Sequence, residues 1–471
     1  MPNPAPIDEP TATAAPTNGP VLLRTMGLFS LVVYGVGDMI GSGIYGTVGK
    51  AAGPLGNAVW LAFIVSMVAA VMTGLSYACL ASRYPRAAGA AYVTHRAFHL
   101  AFLSYLVGLT VTASGLTSMA TQTNVFADNL HAMIGANWLV MALLFLGAMT
   151  AINFWGIRQS MWTNLLCTGV EVGGLLFIIA VGARYWGSVN YLETPGATFD
   201  AQGQMMDHGL GMSMLLAGSV LTFFSFIGFE DMLNIAEEVK EPRRTMPRGI
   251  VLALAVATLL YIGVAVTAVS VVDHRELAAA PAPLSAIANR AAPWLPARTF
   301  DFITLFAVAN TMLINYIMGS RLLYGMARQG LLPSMLGRVH ATRHTPHVAI
   351  LTLLIIVLVL ALSGGEEGVR TLASATALLL LSAFMVVNTA LIVLKLRPGE
   401  PVGAFEVPVI VPALGVVINA TLIVARLTDQ DANPLAPKIA GWIIFGICVL
   451  FILLRPKNVT EETLATIEQE T

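Results

Sequence analysis

Four acids sit inside long apolar runs of this chain. Asp38 lies in VVYGVGDMIGSGIYGTVGKAAG (residues 32–53), Glu171 in NLLCTGVEVGGLLF, and Glu230 with Asp231 in SVLTFFSFIGFEDMLNIAEEV. A carboxylate held away from water pairs with a cation, carries a proton, or costs several kcal/mol. The surroundings of Asp38 add a second signal. Seven glycines (Gly35, Gly37, Gly41, Gly43, Gly46, Gly49 and Gly53) and Ser42 interrupt the run. A continuous helix gains nothing from them, because each glycine weakens a helix relative to alanine. A helix broken at membrane depth does need them. The freed N–H groups of such a break face an anion, its freed carbonyls face a cation, and the backbone is tolerated where it lines a wet cavity. The chemistry on offer is therefore non-covalent capture of a small zwitterion or cation, with GSGIYG (residues 41–46) as the break.

The elements that hold these residues follow from composition. Of 471 residues, 56% are hydrophobic and only 11% charged, against roughly 25% charged in soluble domains; mean hydropathy is +0.77. Apolar runs of about 20 residues, enough to cross a ~30 Å hydrocarbon core, occur twelve times: 28–52, 58–80, 100–127, 138–155, 161–185, 212–235, 249–272, 300–327, 348–362, 369–396, 407–427 and 438–454. With an even count, 17 of the 25 Lys and Arg residues fall on the side of the termini and 8 on the other. That bias predicts cytoplasmic N- and C-termini. Residues 81–99 are expected to form a short interfacial helix on the cytoplasmic side. Residues 273–298, rich in Ala and Pro, are expected to form short helices lidding an entrance on the far side. Residues 1–22 and 457–471 are expected to be cytoplasmic tails, the former disordered.

The sixth run has its own interruption: Gly228 cuts an aromatic series of Phe223, Phe224, Phe226 and Phe229. Alone, Gly228 reads equally well as a packing glycine. Breaks in the first and sixth runs, at matching positions of two five-helix halves, form the pattern of an inverted repeat with a midplane site. GVGDMIGSGIYG followed by AAGP, FFSFIGFE followed by AEEVKEPRRTMPRGI, and INYIMGSRLLYGMARQGLLP (residues 314–333) occur in that order. Over residues 23–397 the chain thus resembles the amino acid–polyamine–organocation (APC) superfamily of transporters.

The resemblance implies an all-α polytopic fold of the LeuT type. A ten-helix core of two inverted five-helix halves (23–397), with helices 1 and 6 broken, is joined by two peripheral helices (398–456). It implies transport of amino acids or organic amines by alternating access, as a proton-coupled carrier or, alternatively, an uncoupled amino acid/polyamine exchanger. It also implies a backbone cradle. N–H groups of Ser42, Gly43 and Ile44, after Gly41, receive a carboxylate. Carbonyls around Met39, Ile40, Phe224, Ser225 and Ile227 receive an ammonium, and Phe224 is a gating ring or a packing one. Asp38 departs from the small neutral residue usual there; it is a polar plug or a group that meets a cation or proton. Glu230 is common in the resemblance and partly structural, and Asp231 is expected on another face, off the ligand. Asn310, Asn315 and Ser320 are cavity residues or helix–helix glue. Proton-coupled relatives often carry a lysine at the fifth-helix position where Glu171 stands. Glu171 either titrates, or pairs with a substrate cation or Lys50, or stays protonated against a neighbouring helix. Charges at Glu237, Glu238, Lys240, Arg243 and Arg244 read as a solvated loop singly and as a cytoplasmic gate together.

Other functions lack their signatures. A net charge of −1 offers no basic surface for nucleic acid. Channel filters or charge rings, a phosphate-binding loop, and clustered nucleophiles are not found, so a pump, channel or enzyme is disfavoured. Cys79, Cys167 and Cys448 read as packing residues, and no metal or cofactor is expected. The expected partners are a small amino acid or amine, the bilayer of a plasma (inner) membrane, and a proton.

Overall fold

The computed structural model describes residues 22–199, 205–207, 209–280, 282–296, 298–363, 366–428 and 435–454. Apart from Leu22, which packs against Ala87 and Tyr324, the expected tails lie outside them. Fifteen α-helices occur in chain order: α1 (Leu28–Leu55), α2 (Val59–Arg83), α3 (Gly89–Phe98), α4 (Ala101–Ile134), α5 (Trp138–Trp155), α6 (Ile157–Gly182), α7 (Met212–Phe223), α8 (Pro242–Val271), α9 (His274–Ala279), α10 (Pro283–Ala291), α11 (Thr299–Arg328), α12 (His347–Ser363), α13 (Glu366–Leu396), α14 (Ile410–Thr428) and α15 (Leu435–Leu454). A small hairpin, Thr198–Phe199 with Met205–Asp207, is the only sheet among the described residues.

The fold is all-α and polytopic. Eleven segments are long and apolar enough to cross a membrane, and a shorter apolar helix spans His347–Leu362. Each of the twelve expected runs falls on a helix, the sixth being α7 continued by two 3₁₀ stretches, Phe224–Phe226 and Phe229–Glu238. The central helix α1 packs on α6, α8 and α11; α8 packs also on α2 and α6, and α11 on α4 and α6, while α14 and α15 lie at the edge with long apolar residues such as Val417, Phe445 and Leu453 exposed. Apolar surface does not drive helices together in lipid, so polar bonds and close packing must. Thr73 of α2 supplies one such bond: its Oγ1 accepts from Asn388 Nδ2 of α13 (3.3 Å) and from Asn419 Nδ2 of α14 (3.0 Å).

The short helix expected from residues 81–99 exists as α3, and it is packed into the bundle. Gly89 through His95 are buried between α4 and α13. Its alanines, glycine and Thr94 are small enough to be enclosed by the bundle. The two lid helices expected from residues 273–298 are α9 and α10.

Candidate substrate site

Both breaks form, and they touch. Inside α1, Gly41 has φ −13° and ψ −157°, so residues 28–40 and 42–55 are two half-helices. In the sixth segment the helix gives way at Ile227 (φ −62°, ψ 136°), and Gly228 takes φ +132°, a left-handed conformation open to glycine at little cost. A Cβ on Gly228 would stand 2.9–3.0 Å from Asp38, and one on Gly43 would stand 3.2 Å from Ser225 Cα. The backbones of the two breaks therefore meet because glycines let them. Tyr261 of α8 ties them together: its hydroxyl reaches the Ser225 carbonyl at 2.6 Å and also the Met39 carbonyl. Thr47 Oγ1 and Ser225 Oγ are 2.6 Å apart.

A cavity of about 730 Å³ rises from this junction. Its floor carries Asp38, Met39, Gly43, Phe224, Ile227, Gly228, Glu230 and Asp231. Glu230 accepts a hydrogen bond from Gly228 N at 2.8 Å, so it braces the break while lining the cavity. Its lining includes apolar residues, Val220, Leu221, Val308 and Met318, and a polar stripe of α4, Ser114, Ser118, Thr121, Gln122 and Asn129. The cavity extends past Lys50, Asp128, Asp301 and Arg426 to Ala282, Leu284 and Ser285 of the lid region, at the face away from the termini.

Towards the terminal face the path is closed. The Glu238 carboxylate and Arg321 guanidinium meet at 3.2 and 3.3 Å, both side chains fully buried. Arg321 also donates to Asn153 Oδ1 (2.9 Å) and to Ser320 Oγ (2.8 Å). Thr25 N and Met26 N donate to the Glu238 carbonyl at 3.0 Å, and Lys240 N to the Met26 carbonyl at 2.8 Å. The chain entering α1 is thereby stitched to the chain leaving the sixth segment.

Behind α1 lies a buried polar cluster. Asn164 Nδ2 donates to Asn310 Oδ1 (2.8 Å), and Asn310 Nδ2 to Thr168 Oγ1 (2.9 Å) and to the Gly37 carbonyl (3.4 Å). Glu171 sits there fully buried. Asn310 faces it, but with its amide directed elsewhere neither Glu171 oxygen closes a hydrogen bond of good geometry.

The expected residues divide accordingly. Asp38, Met39, Gly43, Phe224, Ile227 and Glu230 line the cavity; Ile40, Gly41, Ile44 and Ser225 are buried behind that lining, and the Ser42 side chain lies outside the described residues. Asp231 corrects the expectation that it points elsewhere. After Gly228 the turn is 3₁₀, where residues three apart eclipse, so Asp231 returns to the Gly228 face and lines the cavity. Asn315 lines the cavity, Asn310 bonds across to α6 and α1, and the Ser320 hydroxyl bonds within α11, donating to the Ile317 carbonyl and accepting from Arg321. Glu171 makes no bond to Lys50; the polar group it faces is the Asn310 amide of the neighbouring α11. Glu238 is buried in an ion pair and is not a solvated loop residue. Tyr261, Arg321 and the α4 stripe were not singled out in the sequence. The stripe was readable as hydroxyl and amide residues at helical spacing from 114 to 129; Tyr261 had no local signal.

Two broken helices meeting at a cavity open to one face and sealed at the other define a multi-pass membrane transporter. The sequence profile of the family described as amino acid permease matches residues 26–453. The chain belongs to that family, within the APC superfamily. It is 26% identical to the branched-chain amino acid permease BcaP of Bacillus subtilis, over 94% of this chain and 95% of that one. It is 28% identical to the methylthioribose transporter of the same organism, over 92% and 94%. It is 30% identical to the chloroplastic cationic amino acid transporter 9 of Arabidopsis thaliana, over 69% of this chain and 59% of that longer one.

Proposed function

We propose that this permease is a secondary transporter of neutral or cationic amino acids, or related amines, working by alternating access around the cavity. The observation that carries the reading is the meeting of both helix breaks at the cavity floor, where freed backbone groups can receive a carboxylate and an ammonium together. The N–H groups of Ser42, Gly43 and Ile44 take the carboxylate. The carbonyls around Met39, Ile40, Ser225 and Ile227 take the ammonium, Tyr261 holding two of them in place, and Phe224 closes over the ligand. Charge favours cations over anions: five acids (Asp38, Asp128, Glu230, Asp231, Asp301) against two bases (Lys50, Arg426) line the described cavity. The names of the relatives, a branched-chain amino acid permease and a cationic amino acid transporter, support the same classes.

Glu171 is the coupling group of this reading. A buried carboxyl that faces an uncharged amide and no base is best accommodated by a proton, and Glu171 abuts the half-helix that must move. With the termini in the cytoplasm of a plasma (inner) membrane, the open cavity is the outward-facing state. The test is counterflow in proteoliposomes. Unlabelled lysine or leucine inside should drive transient accumulation of the labelled compound from outside, and aspartate should not. An inward proton gradient should stimulate net uptake; counterflow without that stimulation selects the uncoupled exchanger, and no counterflow with any amino acid contradicts the reading.

A further inference from the structure

The floor of the cavity holds a pair of carboxyl groups that the backbone cradle does not require. Asp38 precedes the carbonyls of the first break, and Gly228 of the second break lies directly against its side chain. Asp231, one 3₁₀ turn after Gly228, returns to the same spot, and the two carboxyls come within hydrogen-bonding range of each other. Both line the cavity, with only 6% and 4% of their surface exposed. Asp38 Oδ2 has no hydrogen-bond donor. The neighbouring acid, Glu230, is different, because it already accepts from Gly228 N.

Two carboxyls this close either share a proton or repel as two anions, and a cationic group with donors arriving from the cavity can displace that proton and hold both as carboxylates. A primary ammonium carries three N–H donors and a guanidinium five, so either can bond both carboxylates at once from the cavity. A neutral side chain brings none. We infer that Asp231 joins Asp38 in a two-carboxylate clamp on the cationic group of the substrate, and that this pair sets the charge preference of the site. The inference rests on the proposed transport reading, since it assigns a ligand group to the same cavity. It differs in the residues it makes decisive: the clamp recognises charge, and the glycine cradle recognises the amino-acid head.

The experiment measures equilibrium binding of L-lysine, 1,5-diaminopentane and L-leucine to the purified full chain and to Asp38→Asn, Asp231→Asn and Asp231→Glu. Losing a charge-assisted bond from a buried site weakens binding by about tenfold or more. Both Asn variants are expected to lose at least that factor for lysine and the diamine while leucine binding stays within about threefold, and Asp231→Glu should restore much of the loss. Retained leucine binding also reports that a variant is folded; should Asp38→Asn fail to fold, the Asp231 pair of variants decides alone. Equal weakening of all three ligands makes Asp231 a structural residue and overturns the clamp, as does unchanged lysine affinity. Diamine bound but neither amino acid bound would remove the cradle and leave the clamp standing. Leucine bound with no preference for lysine in the unaltered protein would do the reverse.

Discussion

Glu238 and Asp38 are both buried acids in the broken-helix region, and the fold treats them in opposite ways. Glu238, on the terminal side, faces a guanidinium that is itself held by Asn153 and Ser320. Asp38, on the cavity side, faces another carboxyl and has an oxygen with no donor; Glu171, behind the same half-helix, faces the uncharged Asn310 amide. Removing a charge from water is costly in both places. On the terminal side the protein supplies the compensating charge, which makes that region a seal. On the cavity side, in the reading proposed above, compensation is left to a mobile species and the region serves as a site. Partnered and unpartnered buried charge thus separate closure from binding within a single pair of half-helices.

The largest expected effect comes from breaking the compensated side. Arg321→Met leaves Glu238 charged and alone, and should destabilise the purified protein by about 3–5 kcal/mol, read as a lowered thermal midpoint. Adding Glu238→Gln should recover much of that loss. A single variant as stable as the parent would mean that the ion pair does not hold the terminal side shut.

Glu171→Gln sharpens the uncompensated side. It removes a titratable group but keeps an amide that can still meet Asn310, so stability should stay within about 1 kcal/mol. Exchange between two substrate pools should persist, while stimulation of uptake by an inward proton gradient disappears. Full stimulation in this variant would move the coupling role to Asp38.

A third comparison lies outside the membrane, in the linker between α13 and α14. Burial pushes the Glu406 carboxyl upward, but hydrogen bonds from Arg83 (2.7 and 2.8 Å), Lys395 and Gly403 N (2.9 Å) outweigh it and hold the group at about 2. A depressed carboxyl contributes stability that is present above its ordinary value near 4.5 and is lost as pH falls through about 2. The linker should therefore resist an acid protease until the pH approaches that value, and Glu406→Gln should be cut at higher pH. The smallest effect belongs to the lid pair Arg290–Glu276, whose side chains are each 57% exposed. Arg290→Ala should change stability by less than about 0.5 kcal/mol.

Much of this contrast was legible in the sequence. Glycine spacing around Gly41 and the interrupted aromatic run at Gly228 located both breaks, because few other features put so many flexible residues into membrane-length runs. Acids in apolar segments located Asp38, Glu171 and Glu230. Whether each acid is partnered was not legible. Arg321 lies 83 residues from Glu238 in sequence and read simply as a terminal-side charge. Asp231 was misplaced because an α-helical turn was assumed where the chain is 3₁₀. Burial of α3 was missed because Arg86, Arg96 and the histidines around it suggested an aqueous surface, whereas Tyr92, Val93 and even His95 are enclosed along with its small residues.

The measurement closest to the central claim is substrate binding by scintillation proximity to Gly43→Leu. A Cβ at Gly43 already meets Ser225 Cα at 3.2 Å, so a leucine there fills the junction where the breaks meet and keeps a ligand from the backbone. The account predicts that binding of labelled lysine and leucine is abolished while membrane insertion and a monodisperse size-exclusion profile are retained. Unchanged affinity for both in this variant would contradict it.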